Sequence, residues 1–292
     1  MSDLAGDASY VGRLAPTPSG EFHLGHARTF DQVHRRARRV GGTLILRIED
    51  LDAARCKPAF EETMMADFAW MGLSWDAGPF YQSQRRDLYV DAWRKLLAQG
   101  LIYPCKRTRR ELRDLVRAPH EEEEAAEVIY PPSWRPPPGA GQERTSPAGV
   151  AWRFRVPDGE VVRFEDVHHG WVSYTAGVDF GDFGIWRRDD VPAYELAVVV
   201  DDLAMGVTEV VRGADLLKST ARQLLLYRAL GGAPPAWCHE ALVRDAQGRR
   251  LAKRSGDVAL RVFREQGMSF EAVMARLRAP GMVSGIAGNP PS

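Results

Sequence analysis

Residues 15–26 read APTPSGEFHLGH, a proline-fixed turn set directly against His23 and His26, with Leu24 and Gly25 between them. Two imidazoles at the first turn of a helix that follows a strand sit where backbone N–H groups and the helix dipole attract anions. Gly25 permits close approach of a flat ligand, Pro16 and Pro18 hold the turn, and Gly20 supplies conformations that other residues resist. Together these residues point to a nucleotide phosphate. A lone HLGH tetrapeptide is more often just the start of a helix that two histidines cap and decorate, and it is the placement after a strand and turn that favours phosphate. A second cluster of cations, Arg250, Lys253 and Arg254, falls in RRLAKRS near the end of the sequence. Cations on a loop can close on a polyphosphate and follow its charge. A solvated basic loop is the commoner meaning of such a run by itself.

The elements around these residues read as α/β. Residues 10–15 form a short strand, the turn follows, and Ala27, Phe30, Val33, Ala37 and Val40 recur at helical spacing. Gly41 and Gly42 close that helix, and TLILRIED has the continuous apolar character of a strand buried in a parallel sheet. Strand, helix and strand make a βαβ unit. Helical patterns then cover residues 58–71 and 85–99. Past Gly100 a basic stretch at 106–117 runs into four glutamates at 121–124 and a proline-rich segment, the marks of a module boundary or an exposed excursion. AWRFRVP, VVRFEDVHHGWVSY and VDFGDFGIWRR alternate as a small antiparallel insertion would. VTEVVRG reads as a strand and residues 214–230 as a helix ended by Gly231 and Gly232, whereas AYELAVVVDD fits either helix or strand. HEALV, a basic loop and one or two short helices complete the chain.

Composition narrows the function classes. With 45% hydrophobic and 27% charged residues, the 292-residue chain is an ordinary globular protein able to bury a sizeable core. No run reaches the ~18 apolar residues of a membrane span, and MSDLAGDASY lacks the regions of a signal peptide, so a cytoplasmic protein without membrane contact is expected. Cys56, Cys105 and Cys238 are odd in number and far apart, which argues for reduced thiols. Because 39 Lys and Arg balance 39 Asp and Glu, any nucleic-acid contact must come from local patches.

RLAPTPSGEFHLGH, LILRIEDLD, YELAVVVDDLAMGVTEVVRGADLL and RRLAKRS, in this order and at about these separations, resemble the catalytic domain of class I aminoacyl-tRNA synthetases of the glutamyl type. The residues from His23 to His26 look like the HIGH signature and those from Leu251 to Ser255 like a degraded KMSKS loop. The resemblance implies a Rossmann-like parallel-sheet domain with a small α+β insertion. Its first half would occupy residues 1–100, the inserted subdomain 101–190 and the second half 191–240, with the KMSKS-like loop and short helices in 241–292. It also implies that Arg13, Ala15 and Thr17 hold glutamate, that Glu49 receives its ammonium group, that Tyr194 lines the side-chain pocket, and that Arg212 pairs with a carboxylate. His23, Gly25, His26 and Lys253 would take ATP, accompanied by Mg²⁺, with His23, His26 and Lys253 as the catalytic set. Glu49 and Arg212 both fall where a predicted strand ends, the edge at which open α/β sheets bind ligands. An arginine fork also matches a carboxylate. Read without the resemblance, Glu49 and Asp50 could cap a helix and Arg212 could be a surface residue.

Too few residues follow Ser255 for the helical anticodon-binding region of glutamyl-tRNA synthetases. The sequence is therefore similar to the branch that lacks this region and esterifies glutamate onto queuosine, the modified wobble base in the anticodon loop of tRNA(Asp). The expected partners are L-glutamate, ATP and that anticodon loop, with the enzyme a monomer. A splayed, single-stranded base suits such a site. Charging of tRNA(Glu) by a shortened glutamyl-tRNA synthetase, and a binding paralogue without turnover, are the alternatives; a small-molecule adenylyltransferase would explain neither RIED nor VVRGAD. Arg35, Arg36, Arg38, Arg39 and residues 106–117 could meet tRNA phosphates or simply form solvated faces. The family often carries zinc in the insertion, on a Cys-x-Cys pair, a Tyr and a further Cys. Here Cys105 and Tyr130 are kept, while Arg107 and Trp134 stand at the other two places, so zinc is expected to be absent and packing by Trp134 and nearby prolines to replace it. His120, His168 and His169 read as surface or packed histidines. Arg250 and Ala252 depart from the KMSKS pattern, with Lys253 intact.

Overall fold

A computed structural model describes residues 9–108, 111, 129–243 and 259–278. The described residues form two compact units, one drawn from Met1–Gln84, Val207–Asp215 and Trp237–Ser292, the other from Arg85–Gly206 and Leu216–Ala236.

The first unit opens with β1 (Val11–Leu14), α1 (Leu24–Arg39) and β2 (Thr43–Ile48). The two strands pair in parallel, Arg13 opposite Ile45 and Leu14 opposite Leu46. Parallel neighbours require a crossover, which α1 supplies. Its Leu24, Ala27, Phe30, Val33 and Ala37 are buried at helical spacing and pack on the sheet. Gly41 then takes a left-handed φ of 63°, and the Gly42 amide donates to the Ala37 carbonyl at 2.9 Å, closing the helix as the glycine pair predicts. β2 is buried from Leu44 to Ile48, which explains its unbroken apolar run. After α2 (Pro58–Trp70), β3 (Ala77–Tyr81) adds a third parallel strand in the order β1-β2-β3.

The chain then builds the second unit. Here α3 (Arg86–Ala98) leads into β4 (Ile102–Cys105), β5 (Ala151–Phe154), the antiparallel hairpin of β6 (Val161–Asp166) with β7 (Gly170–Thr175), and β8 (Phe183–Trp186). β4, β5 and β8 form an antiparallel sheet in that order. AYELAVVVDD resolves as a helix, α4 (Tyr194–Ala204). Its polar residues are buried with partners: Asp201 accepts from Arg85 Nε at 2.6 Å and from the Tyr89 hydroxyl at 2.8 Å, and Glu195 from Gln223 at 2.8 Å. A helix enclosed on every side shows no amphipathic stripe.

β9 (Glu209–Gly213) returns to the first unit, α5 (Leu217–Leu230) belongs to the second, and β10 (Ala236–Glu240) lies beside β9. β9 runs along β1: the Thr208 amide donates to the Val11 carbonyl at 2.9 Å, and Arg13 donates to the Val211 carbonyl at 3.2 Å. Contacts that advance together on both strands bring the C-terminal ends of β1, β2 and β9 to one edge. Finally α6 (Leu260–Glu265) and α7 (Phe270–Arg278) add Leu260, Phe263, Phe270, Val273 and Met274 to the same core, and the Leu260 amide bonds the Phe22 carbonyl at 2.8 Å. Among the described residues no helix is long and apolar enough to cross a membrane, and the three cysteines are free thiols.

Candidate active site

At the edge shared by β1, β2 and β9 the chain leaves β1 through the proline turn, whose two ends are tied down. The Glu49 amide donates to the Pro16 carbonyl at 2.9 Å and the Lys57 amide to the Pro18 carbonyl at 3.2 Å. Thr17, between the two prolines, is thereby fixed beside the end of β2 that carries Glu49.

His23 is the N-cap of α1, and its imidazole does the work usually done by a serine or aspartate. Nδ1 of His23 accepts from the Gly25 amide at 3.0 Å, and Nδ1 of His26 accepts from the His23 amide at 3.1 Å. This is a reciprocal capping box built from two histidines. With both Nδ1 atoms accepting from backbone N–H groups, the proton of each neutral ring belongs on Nε2. Capping and phosphate binding are therefore compatible: the cap consumes Nδ1 and fixes Nε2–H as a donor at a helix N-terminus. The rings lie 3.9 Å apart between centroids, and that of His26 packs 5.1 Å from Phe22. Gly25 is required by the same geometry, since a Cβ there would lie 2.8 Å from His23 Cε1.

Among the described residues of this unit, Arg13, Arg47 and Arg212 are buried, at 5%, 0% and 5% exposure. Arg212 is thus no surface residue. Its Nε donates to His239 Nε2 at 3.1 Å, and its guanidinium lies 5.1 Å from the Trp237 ring centroid. Glu49 meets Arg47 at 3.2 Å. The Asp50 carboxylate ties the end of β2 to a distant turn, accepting from the amide and hydroxyl of Ser83 at 2.8 and 2.5 Å. Arg47, Trp237 and His239 carried no signal in the sequence, because a residue buried behind a ligand-facing side chain is recognisable only once strands are neighbours. Tyr194 opens α4 in the second unit and is 39% exposed. Lys253, with Arg250, Ala252 and Arg254, lies outside the described residues, as do His120 and most of residues 106–117. His168 and His169 are exposed on the hairpin turn.

The basic face of α1 is largely spent within the protein. Arg35 pairs with Asp31 at 2.8 Å and Arg38 with Asp76 at 2.8 Å, while Arg36 clamps Glu209 with both Nε and Nη2. Tyr10 donates to the same Glu209 at 2.9 Å; burial first, and the Glu209 charge second, push its hydroxyl far above the usual tyrosine range. Arg39 is exposed.

In the second unit the corner at which the resemblance implies a zinc site is filled differently. Tyr130 Oη lies 3.5 Å from Cys105 Sγ, Trp134 meets the Tyr130 ring edge-on at 5.7 Å, and the Arg107 guanidinium stacks 4.7 Å from the Trp134 centroid. Arg153 covers the other aromatic, 4.4 Å from the Tyr130 centroid, with Nε 3.4 Å from Cys105 Sγ. Burial, then the bond to Cys105, push the Tyr130 hydroxyl well above its usual range. Of the four residues, only Cys105 and Tyr130 offer ligand atoms, and two guanidinium groups occupy the space around them. This set does not fit a tetrahedral zinc ion.

The tRNA synthetases class I (E and Q) catalytic-domain family matches residues 10–287. The chain belongs to this family. It is 45% identical over 282 residues to a glutamyl-Q tRNA(Asp) synthetase of Rhodopirellula baltica, covering 91% of this chain and 83% of that one. A protein of the same name from Symbiobacterium thermophilum is 44% identical over 288 residues, covering 96% and 88%. A glutamate–tRNA ligase of Nostoc punctiforme is 39% identical over 90% of this chain but only 55% of its own. Among solved structures, a glutamate tRNA ligase from Elizabethkingia meningosepticum in complex with its amino acid superimposes with a TM-score of 0.72 at 31% identity, over 85% of this chain and 53% of that one. The chain thus spans about half the length of the glutamate ligases it matches. As a class I synthetase it is an enzyme of the ligase type.

The cap made by His23 and the phosphate contact expected of it separate by substitution. His23→Asn keeps an acceptor near the Nδ1 position and should leave unfolding free energy within a few tenths of a kcal/mol, whereas His23→Ala should cost about 1 kcal/mol. Both lose the Nε2 donor, so pyrophosphate exchange should fall about 100-fold in each. Full activity in His23→Asn would assign the imidazole to the cap alone.

Proposed function

We propose that this synthetase activates L-glutamate with ATP and transfers it to queuosine at the wobble position of tRNA(Asp). The observation that carries the first half is the convergence, at one edge of the first unit, of Arg13, Glu49 and Arg212 with two imidazoles whose Nδ1 atoms are committed to the backbone. The second half is supported by relatives named glutamyl-Q tRNA(Asp) synthetase, whose own length this chain largely covers.

The glutamate α-carboxylate attacks the α-phosphorus of ATP; the new C–O–P bond forms as the bond to pyrophosphate breaks, giving glutamyl-adenylate. Arg13, Ala15 and Thr17 hold the amino acid, Glu49 takes its ammonium group and Arg212 a carboxylate through a two-pronged contact. Tyr194 is assigned to the side-chain pocket by the family resemblance. Nε2–H of His23 and His26, with Gly25 allowing close approach, stabilises charge growing on the phosphate, and Lys253 holds the departing pyrophosphate. Mg²⁺ travels with the ATP phosphates. A queuosine hydroxyl then attacks the glutamyl carbonyl, loses its proton, and releases AMP. No protein nucleophile is needed, because positioning and fixed dipoles lower both barriers. The same reading makes the enzyme a monomer of the cytoplasm, where its tRNA is.

Labelled glutamate and ATP, offered with tRNA(Asp) carrying or lacking queuosine and with tRNA(Glu), test the substrate. Transfer to the queuosine-containing tRNA alone is expected; charging of tRNA(Glu) would make this a short glutamyl-tRNA synthetase, and absence of glutamate-dependent pyrophosphate exchange a binding protein. We also infer that the Cys105 corner holds no zinc. Protein purified without chelator should contain well under one zinc per chain and keep its activity in EDTA with excess Mg²⁺. Stoichiometric zinc lost together with activity would contradict this.

A further inference from the structure

We propose that His239 is a positioning residue that fixes the guanidinium of Arg212 for the carboxylate it receives. This rests on the reading that Arg212 binds glutamate. Trp237 and His239 are two residues apart on β10 and so project from the same face of the strand, toward Arg212 on neighbouring β9. All three are buried, with His239 fully enclosed. Trp237 supports the flat face of the guanidinium, centred 5.1 Å from its ring, while His239 Nε2 takes the Nε proton at 3.1 Å. Their two rings lie 6.2 Å apart and within 21° of parallel.

The two contacts do different things. Stacking on Trp237 sets the plane of the guanidinium but leaves rotation within it. The hydrogen bond along Nε sets that rotation, and so the direction in which the terminal nitrogens point. An arginine only donates, so His239 must accept through Nε2 and hold its own proton on Nδ1, the opposite tautomer to His23 and His26. A guanidinium oriented before glutamate arrives loses less freedom on binding, and its fork meets a carboxylate with both prongs aligned. Loss of the His239 acceptor is then felt as weaker glutamate binding, without effect on ATP.

The test measures KM for glutamate, KM for ATP and kcat in pyrophosphate exchange for the full chain and its variants. His239→Phe keeps a ring of similar size and removes the acceptor; it should raise the glutamate KM about tenfold, with the ATP KM unchanged and kcat within about twofold. His239→Gln can bring its carbonyl oxygen near the Nε2 position and should restore most of the glutamate affinity. If His239→Phe does not fold, His239→Asn replaces it: its shorter side chain stops short of Arg212, and its glutamate KM should exceed that of His239→Gln about threefold. Unchanged glutamate KM in His239→Phe, or equal KM in the Asn and Gln variants, overturns the proposal. Arg212→Ala distinguishes the premise. If it leaves the glutamate KM unaltered, the assignment of Arg212 falls; if it raises that KM while His239→Phe does not, only the role of His239 falls.

Discussion

The first turn of α1 is held by its own histidines. His23 accepts from the Gly25 amide and His26 from the His23 amide, at 3.0 and 3.1 Å, so the cap, the tautomers and the entry of the helix are set by one pair of bonds. Much else leans on it. The helix so begun makes the crossover between β1 and β2, and its apolar face closes the core over them. The glycine between the histidines leaves no room for a Cβ against the His23 ring, and the proline turn before them is pinned to β2 through Glu49. A serine cap would close the helix equally well. What imidazoles add is a second nitrogen on each ring, directed by the bond the first one makes.

Around this cap the unit buries cations. Arg13, Arg47 and Arg212 are each at or below 5% exposure, a costly arrangement unless partners are supplied. The partners are specific: the Val211 carbonyl for Arg13, Glu49 for Arg47, and His239 with the Trp237 face for Arg212. Placing positive charge where water is scarce strengthens its pull on anions. Such charge, held rigid beforehand, suits the carboxylate and polyphosphate proposed to meet at this edge.

The strand, turn and helix around residues 10–40 were legible because Gly, Pro and the apolar period mark them directly. Other elements were not. β3 contains Gly78 and Pro79 and β4 contains Pro104; proline demotes a strand pattern, yet both strands sit at sheet edges, where a missing donor is tolerated. AYELAVVVDD gave no period because α4 is enclosed, and its acidic residues are satisfied by side chains distant in sequence. The arginines of α1 read either as a surface for phosphates or as a solvated face, whereas Arg36 and Arg38 answer Glu209 and Asp76, pairings that only tertiary structure creates. His239 stayed invisible for the same reason.

The chemistry proposed at this helix start depends on where the protons of His23 and His26 reside. Imidazole ¹⁵N chemical shifts of histidine-labelled protein near neutral pH, assigned by His23→Asn and His26→Asn, report this directly. Both rings should show a protonated Nε2 and a bare, hydrogen-bonded Nδ1, with the Nε2 resonances moving when ATP is added. A proton on Nδ1 of either ring would contradict the shared cap, and with it the link between the helix start and the chemistry.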